Sequence, residues 1–198
     1  MTPLAAVVLA YFVGAIPVGY LVGRAFGIGD IRRHGSGNIG ATNVLRTAGR
    51  LPAVLTLVGD ALKGAAAVAL AAAWSGGDRR AAAAASVAVI VGNCWSVFLR
   101  FRGGKGGATG LGAFLTLAPW ATVPAALVWL AVVATFRYVS LGSVMAAACV
   151  PLGALVLGYP RPVVLACLLG AGIVVARHHA NITRLMTGTE ARLGQAAR

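Results

Sequence analysis

Acidic residues are almost absent. The 198-residue chain has 4 Asp and Glu against 17 Lys and Arg, a formal net charge of +13. With so few carboxylates no pair presents itself for general acid–base work, and no metal-binding cluster is expected. The chain has no G-x-S-x-G elbow and no H-E-x-x-H. Cysteine is scarce too. Cys94, Cys149 and Cys167 are scattered through apolar stretches without metal-ligand spacing, and read as small buried residues. Charge of either sign makes up 11% of the chain, less than half of the roughly 25% usual in a soluble domain.

Apolar sequence fills the space that charge leaves. Hydrophobic residues make up 59% and the mean hydropathy is +0.86. Thr2–Gly23 and Gly106–Phe136 carry no charge, and each exceeds the about 20 residues that a helix needs to cross a bilayer. The first of these lacks a basic segment before its apolar run, so it reads as a retained helix rather than a cleaved signal. The remaining apolar segments are about Leu51–Trp74, Ala81–Leu99, Val139–Gly158 and Val163–Ala176. The expected class is an all-α integral membrane protein, with residues 1–198 as a single multi-pass domain. Small residues such as those of GAAAVALAAAW allow close helix approach in lipid, and most of the 27 glycines read as packing residues.

Three polar clusters interrupt the apolar chain: SGNIGATNVLR from Ser36, FRGGKGG from Phe101, and RHHANITRL from Arg177. Two crossings separate the first from the second. The third reaches the same side only if Ala108–Phe136 is two helices, and Pro119 at its middle permits that split. The pieces, of about 11 and 15 residues, are short for full spans. The result is a bundle of seven transmembrane helices, some short or broken, with the N-terminus outside and the C-terminus cytoplasmic. All basic residues but four then lie on the cluster-bearing side; Arg79, Arg80 and Arg161 lie on the other and Lys63 lies within a segment. That bias is the positive-inside pattern and places the clusters in the cytoplasm. It also accounts for the net charge without nucleic acid. The loops carry no aromatic stacking platform, and no nucleic-acid partner is expected.

The first cluster contains G-x-G-x-x-G at Gly35, Gly37 and Gly40. A dinucleotide fold needs that pattern after a strand, within a βαβ unit, and here it lies between two apolar segments. Lys105 is followed by Gly106, so FRGGKGG is not a P-loop. The physical content of the glycines stands nonetheless. They let backbone N–H groups approach an anion, and a following helix N-terminus favours negative charge. Ser36, Thr42 and Asn43 add donors, and Arg46 and Lys105 add charge. A helix starting near Thr42 would set Asn43, Arg46 and Arg50 on one face. His178, Asn181 and Arg184 recur at every third residue. Together these suit phosphate recognition. Ser36 and His178 are also a nucleophile–base combination, for which Glu190 is the nearest orienting acid. Asp60 and Lys63 are placed to pair inside the second segment, either as a structural ion pair or in support of a site. Asn93 reads as a bridge between helices.

The three clusters, with GAIPVGYLVGR (14–24) and DALKG (60–64), resemble the bacterial membrane acyl-phosphate:glycerol-3-phosphate acyltransferases of the PlsY type. The similarity runs through essentially the whole chain. It implies a seven-helix inner-membrane enzyme with its active site facing the cytoplasm. The implied reaction transfers a fatty acyl group from an acyl phosphate to glycerol 3-phosphate, giving 1-acyl-glycerol 3-phosphate and phosphate for phospholipid synthesis. It implies membrane lipid as surroundings and a soluble enzyme that makes the acyl phosphate as a partner. No cofactor, metal, acyl-CoA or acyl carrier protein is expected as reactant. By resemblance Ser36, Arg46, Lys105, His178 and Asn181 are catalytic, and Gly37, Asn38, Thr42, Asn43, Gly104 and Gly106 bind substrate. Three positions depart from the family pattern: Asn93 where His is frequent, Gly107 where a branched residue is, and Ala180 where an acid is. No role for a His or an acid is carried to those places. The rival reading is a transporter or channel for a small phosphorylated anion, suggested by Asp60, Lys63 and the broken helices.

Overall fold

The computed structural model describes residues 2–195 and is all-helical among them. The elements are α1 (Pro3–Ala15), α2 (Val18–Ala25), α3 (Ala41–Ala48), α4 (Arg50–Trp74), α5 (Arg79–Cys94), α6 (Gly107–Leu117), α7 (Pro119–Phe136), α8 (Val139–Val156), α9 (Arg161–Arg177) and α10 (His179–Met186). Five stretches are long and apolar enough to cross a membrane: Pro3–Ala25, Arg50–Trp74, Arg79–Leu99, Pro119–Phe136 and Val139–Val156. A sixth results if α9 and α10, bent by 57°, count as one span.

The expected split of Ala108–Phe136 is present. The α6 helix ends at Leu117, Ala118 leaves helical geometry at φ −143° and ψ 66°, and Pro119 opens α7. Proline suits that position, where a helix has no use for its N–H. With 11 residues, α6 is well short of the about 20 of a full span. The first span is broken as well. Pro17 cannot continue the α1 ladder, and α2 starts afresh at Val18.

Glycine sets how closely the helices approach. A methyl group at Gly14 of α1 would lie 2.1 Å from the carbonyl oxygen of Val89 in α5, and one at Gly92 of α5 would lie 2.1 Å from that of Tyr11 in α1. The same reciprocity joins α4 to α6: Gly64 against Thr109 at 2.1 Å, Gly112 against Ala61 at 1.8 Å. In a bilayer, where burial of apolar surface drives no helix association, such backbone contacts supply the packing. The core between them is built from small residues, among them Ala6, Ala10, Ala85, Val89 and Cys167. Large apolar side chains point outward instead, as lipid requires: Leu62, Leu127, Leu152, Leu155 and Val156 are exposed.

The polar connections gather at two ends. At one end a cavity of about 250 Å³ is lined by Val68, Gly77, Arg79, Thr116, Leu117 and Tyr159 among others, so the α4–α5 turn, the end of α6 and the α8–α9 link meet there. At the other end the chain after α10 returns to the α7–α8 turn. Leu193 N–H donates to the Arg137 carbonyl at 2.6 Å, and Arg137 Nη2 donates to the Leu193 carbonyl at 2.7 Å. All three polar clusters lie at this second end. Arg198, assigned to the same side by sequence, falls outside the described residues.

One expected face does not form. Gly49 adopts φ 90°, which ends α3, and Arg50 begins α4. Arg50 therefore shares no helix face with Asn43 and Arg46. The left-handed glycine turns the chain before a third helical turn can form.

Candidate active site

The first cluster is organised from within by one side chain. Asn43 is 2% exposed. Its Oδ1 accepts from Ser36 N–H at 2.8 Å, and its Nδ2 donates to the carbonyls of Asn38 at 2.8 Å and His34 at 3.0 Å. A methyl group at Gly35 would lie 2.3 Å from Asn43 Oδ1. Asn43 thus serves the backbone of its own loop. Asn38 Oδ1 accepts from Gly40 N–H at 2.9 Å, closing a turn before α3. Upstream, Asp30 accepts from the Arg32 backbone at 3.0 Å and from Arg32 Nε and Nη2 at 2.9 and 2.7 Å. The Arg32 side-chain hydrogen bonds are the main reason its carboxyl is held down at about 2. Ser36 is exposed and Thr42 half-buried, and neither hydroxyl has a protein partner among the described residues.

The second cluster folds back onto the end of α5. Gly103 N–H donates to the Cys94 carbonyl at 3.2 Å, and Gly104 N–H to the Asn93 carbonyl at 2.8 Å. Gly106 takes φ 78° and caps α6. From the third cluster, Arg177 Nε and Nη2 donate to the Gly104 carbonyl at 3.2 and 3.1 Å, while the guanidinium stacks over Trp95 at 5.3 Å. Lys105 then projects toward α10, and its ammonium donates to Asn181 Oδ1.

Asn181 is held by Glu190. Its Nδ2 donates to Glu190 Oε1 at 2.7 Å, Ser140 Oγ donates to the same oxygen at 2.7 Å, and Arg184 Nε donates to Oε2 at 2.7 Å. Burial raises the Glu190 pKa, but the hydrogen bonds from Ser140, Asn181 and Arg184 outweigh it and hold the carboxyl below its ordinary range. With Glu190 fixing the amide nitrogen, Asn181 must offer its oxygen to Lys105. Among the described residues Lys105 pairs with no carboxylate. Burial, with the nearby charges of Arg184, Arg46 and Arg177, brings its pKa down to about 8 against the opposing pull of Glu190. Arg46 Nη2 donates to the Ala191 carbonyl at 3.3 Å, which ties the first cluster to the third.

His178 is buried between α9 and α10. Its Nδ1 lies 2.7 Å from the Val174 carbonyl. A carbonyl oxygen only accepts, so Nδ1 carries hydrogen and Nε2 is the nitrogen that can take a proton. Glu190 is engaged by Ser140, Asn181 and Arg184, so His178 is oriented by a backbone carbonyl rather than by that carboxylate.

The three clusters therefore meet around Lys105: Gly104 and Gly106 beside it in the chain, Asn181 bonded to it, and Arg46 and Arg177 near enough to depress its pKa. Sequence reasoning missed Arg177 as the clamp on the glycine loop, and it saw Glu190 only as a partner for His178. Arg177 was marked by its place at the head of RHHANITRL. Nothing in the sequence pointed to Ser140.

Residues 4–188 match the family model for glycerol-3-phosphate acyltransferase. The chain belongs to the glycerol-3-phosphate acyltransferase family. It is 48% identical to the glycerol-3-phosphate acyltransferase of Trichlorobacter lovleyi over 92% of this chain and 93% of that one. It is 50% identical to glycerol-3-phosphate acyltransferase 2 of Moorella thermoacetica over 97% and 98%. Its fold superposes on a crystal structure of PlsY, an integral membrane glycerol 3-phosphate acyltransferase in its glycerol 3-phosphate form. The TM-score is 0.92 at 38% identity, over 98% of this chain and 96% of that one. The lysophosphatidic acid form of PlsY gives 0.89 at 36% identity. As a member of this family the chain is a multi-pass membrane acyltransferase. Lys105 and the loops around it are its candidate active site.

Proposed function

We propose that the enzyme transfers a fatty acyl group from an acyl phosphate to glycerol 3-phosphate, giving 1-acyl-glycerol 3-phosphate and phosphate for phospholipid synthesis. The observation that carries this reading is the meeting of three donor-rich loops around a lysine that no carboxylate among the described residues neutralises. Both substrates bring phosphate, and an ammonium beside the Gly106 N–H and Arg46 suits it. In this reading seven segments cross the bacterial inner membrane, α6 among them, with the N-terminus outside and the clusters in the cytoplasm. The positive-inside bias supports that orientation. The chain acts as one domain, and the acyl phosphate comes from a soluble enzyme that delivers it to this face.

An acyl phosphate is already activated, so placement and charge stabilisation carry the rate. The 1-hydroxyl oxygen of glycerol 3-phosphate attacks the acyl carbon, the bond from that carbon to the phosphate oxygen breaks, and phosphate leaves. Lys105 and Arg46 neutralise phosphate charge. Gly106 gives backbone access, while Gly37 and Gly104, expected to do the same, donate their N–H groups to the His34 and Asn93 carbonyls and make room only by lacking a side chain. Ser36, Thr42 and Asn181 orient the acceptor, while Asn38 and Asn43 keep the first loop in shape. The hydroxyl proton goes to a phosphate oxygen of the substrates, and His178 Nε2, an acceptor, orients glycerol 3-phosphate through its other hydroxyl. His178→Ala should then raise KM more than it flattens the pH–rate profile. Loss of a whole limb of the profile would make His178 the base.

Purified full-length protein in detergent, given acyl phosphate and glycerol 3-phosphate, should release phosphate and lysophosphatidic acid. Lys105→Ala should remove that turnover. A folded wild-type protein without turnover would sink the reading and leave an anion transporter as the alternative.

A further inference from the structure

A second lysine lies deeper, and its surroundings lead to the glycine loop. Lys63 of α4 is 8% exposed. Its ammonium meets three acceptors: Asp60 Oδ1 at 2.7 Å, the Ile16 carbonyl at 2.8 Å and Asn93 Oδ1 at 2.9 Å. Two of its hydrogens are hydrogen-bonded, to Ile16 and Asn93, and the Asp60 carboxylate balances its charge. Ile16 is the residue at the break between α1 and α2, where Pro17 has interrupted the helix ladder. Lys63 thus satisfies a carbonyl at the break and joins α4 to α1 and α5.

The third contact fixes the Asn93 amide. A lysine only donates, so the oxygen of Asn93 must face Lys63 and the Nδ2 must face the other way. That other side is the glycine loop. A methyl group at Gly104 would lie 2.9 Å from Asn93 Nδ2, and one at Gly103 would lie 2.1 Å from the Asn93 carbonyl oxygen. The same carbonyl accepts Gly104 N–H at 2.8 Å. Arg177 holds the opposite side of this segment through the Gly104 carbonyl. Gly103 and Gly104 therefore sit between Asn93 and Arg177, and Lys105 follows directly.

We propose that Lys63 and Asn93 are positioning residues for the active site: the Lys63 ammonium, balanced by Asp60, sets the Asn93 amide, which packs against Gly104 while the Asn93 carbonyl takes the Gly104 N–H, and the loop so held presents Lys105 and the Gly106 amide to substrate phosphate. Neither residue touches substrate. The inference rests on the acyltransferase reading for its kinetic consequence and on the geometry alone for its structural one.

The test uses the full chain in detergent. Asn93→Ala removes the amide and leaves the backbone. It should raise KM for glycerol 3-phosphate by about tenfold, the scale of one lost buried hydrogen-bonded group, with kcat changed less. Asp60→Asn with Asn93→Asp exchanges carboxylate and amide around the same ammonium and conserves charge. This double variant should keep most of the melting temperature. It should still raise KM, because a carboxylate now stands beside the loop that holds phosphate. A residue that only bridges helices predicts the opposite pattern: a lower melting temperature in Asn93→Ala and a wild-type KM in the exchange variant. That result would overturn the proposal.

Hydrogen exchange supplies a readout independent of turnover. In Asn93→Ala the Gly103 and Gly104 amides keep their backbone acceptors but lose the side chain packed on the loop, so they should exchange faster than in wild type, and unchanged exchange would also overturn the proposal. Wild-type protein without turnover would refute the acyltransferase reading and leave the exchange result to decide this one. Wild-type turnover with unaffected variants would refute the positioning role alone.

Discussion

Lys63 and Lys105 have the same side chain and opposite situations. Lys63 donates to two protein acceptors and pairs with a carboxylate at 2.7 Å. Among the described residues Lys105 has one protein acceptor, Asn181, and the Glu190 carboxylate acts through that amide. The first arrangement is closed and can bind nothing further. The second leaves donor capacity and positive charge at a place where glycines admit an anion. The number of acceptors around each ammonium separates a cation that holds the fold from one available to a ligand. It also weakens the transport reading, since the charge within the membrane is already satisfied.

The largest effect that would expose this contrast is on stability. Lys63→Met leaves Asp60 buried without a partner, and breaking a buried pair from one side costs about 3–5 kcal/mol. Unfolding in detergent should show that loss, and adding Asp60→Asn should recover much of it. Lys105→Ala should do the reverse: kcat/KM should fall by on the order of a hundredfold or more, the scale of a lost charge-stabilising group, at nearly unchanged melting temperature. If Lys105→Ala destabilises the protein as much as Lys63→Met does, the two lysines are not different in kind.

A smaller effect follows from the depressed pKa of Lys105, about 8. The ammonium is charged below that value and neutral above it. kcat/KM, which reports the free enzyme, should therefore hold up to about pH 8 and fall as pH rises further. Glu190 raises the Lys105 pKa, so Glu190→Gln should move the alkaline limb to lower pH. A limb that stays in place would assign it to another group. Stability runs the other way. The unfolded chain keeps the lysine proton to about 10.4, so the cost of holding Lys105 charged in the fold fades as pH climbs from about 8 toward that value.

Much of this architecture is legible in the sequence because its signals are local. Charge-free runs mark the spans, Pro119 marks the break between α6 and α7, and the three clusters stand out against apolar chain. The relations between clusters were not legible. Asn93 and Lys63 are 30 residues apart, Lys105 and Asn181 are 76 apart, and Arg46 and Ala191 are 145 apart. No periodicity reports such contacts. Asn43 looked like a donor for substrate because its type suits one, but only the fold shows that its loop takes up the amide. Arg50 looked like a member of the α3 face because helical spacing was extended through Gly49, whose φ of 90° forbids it.

The shortness of α6 has a consequence for depth. Eleven residues rise about 16 Å, while the hydrocarbon layer is about 30 Å thick. The far end of α6 already lies beside Gly77, Arg79 and Tyr159 at the opposite face. Its near end, where Gly106 and Lys105 stand, must therefore be sunk well below the membrane surface. In the proposed reaction, the water-borne acceptor descends to the level of the acyl donor, and the greasy chain never has to leave its leaflet.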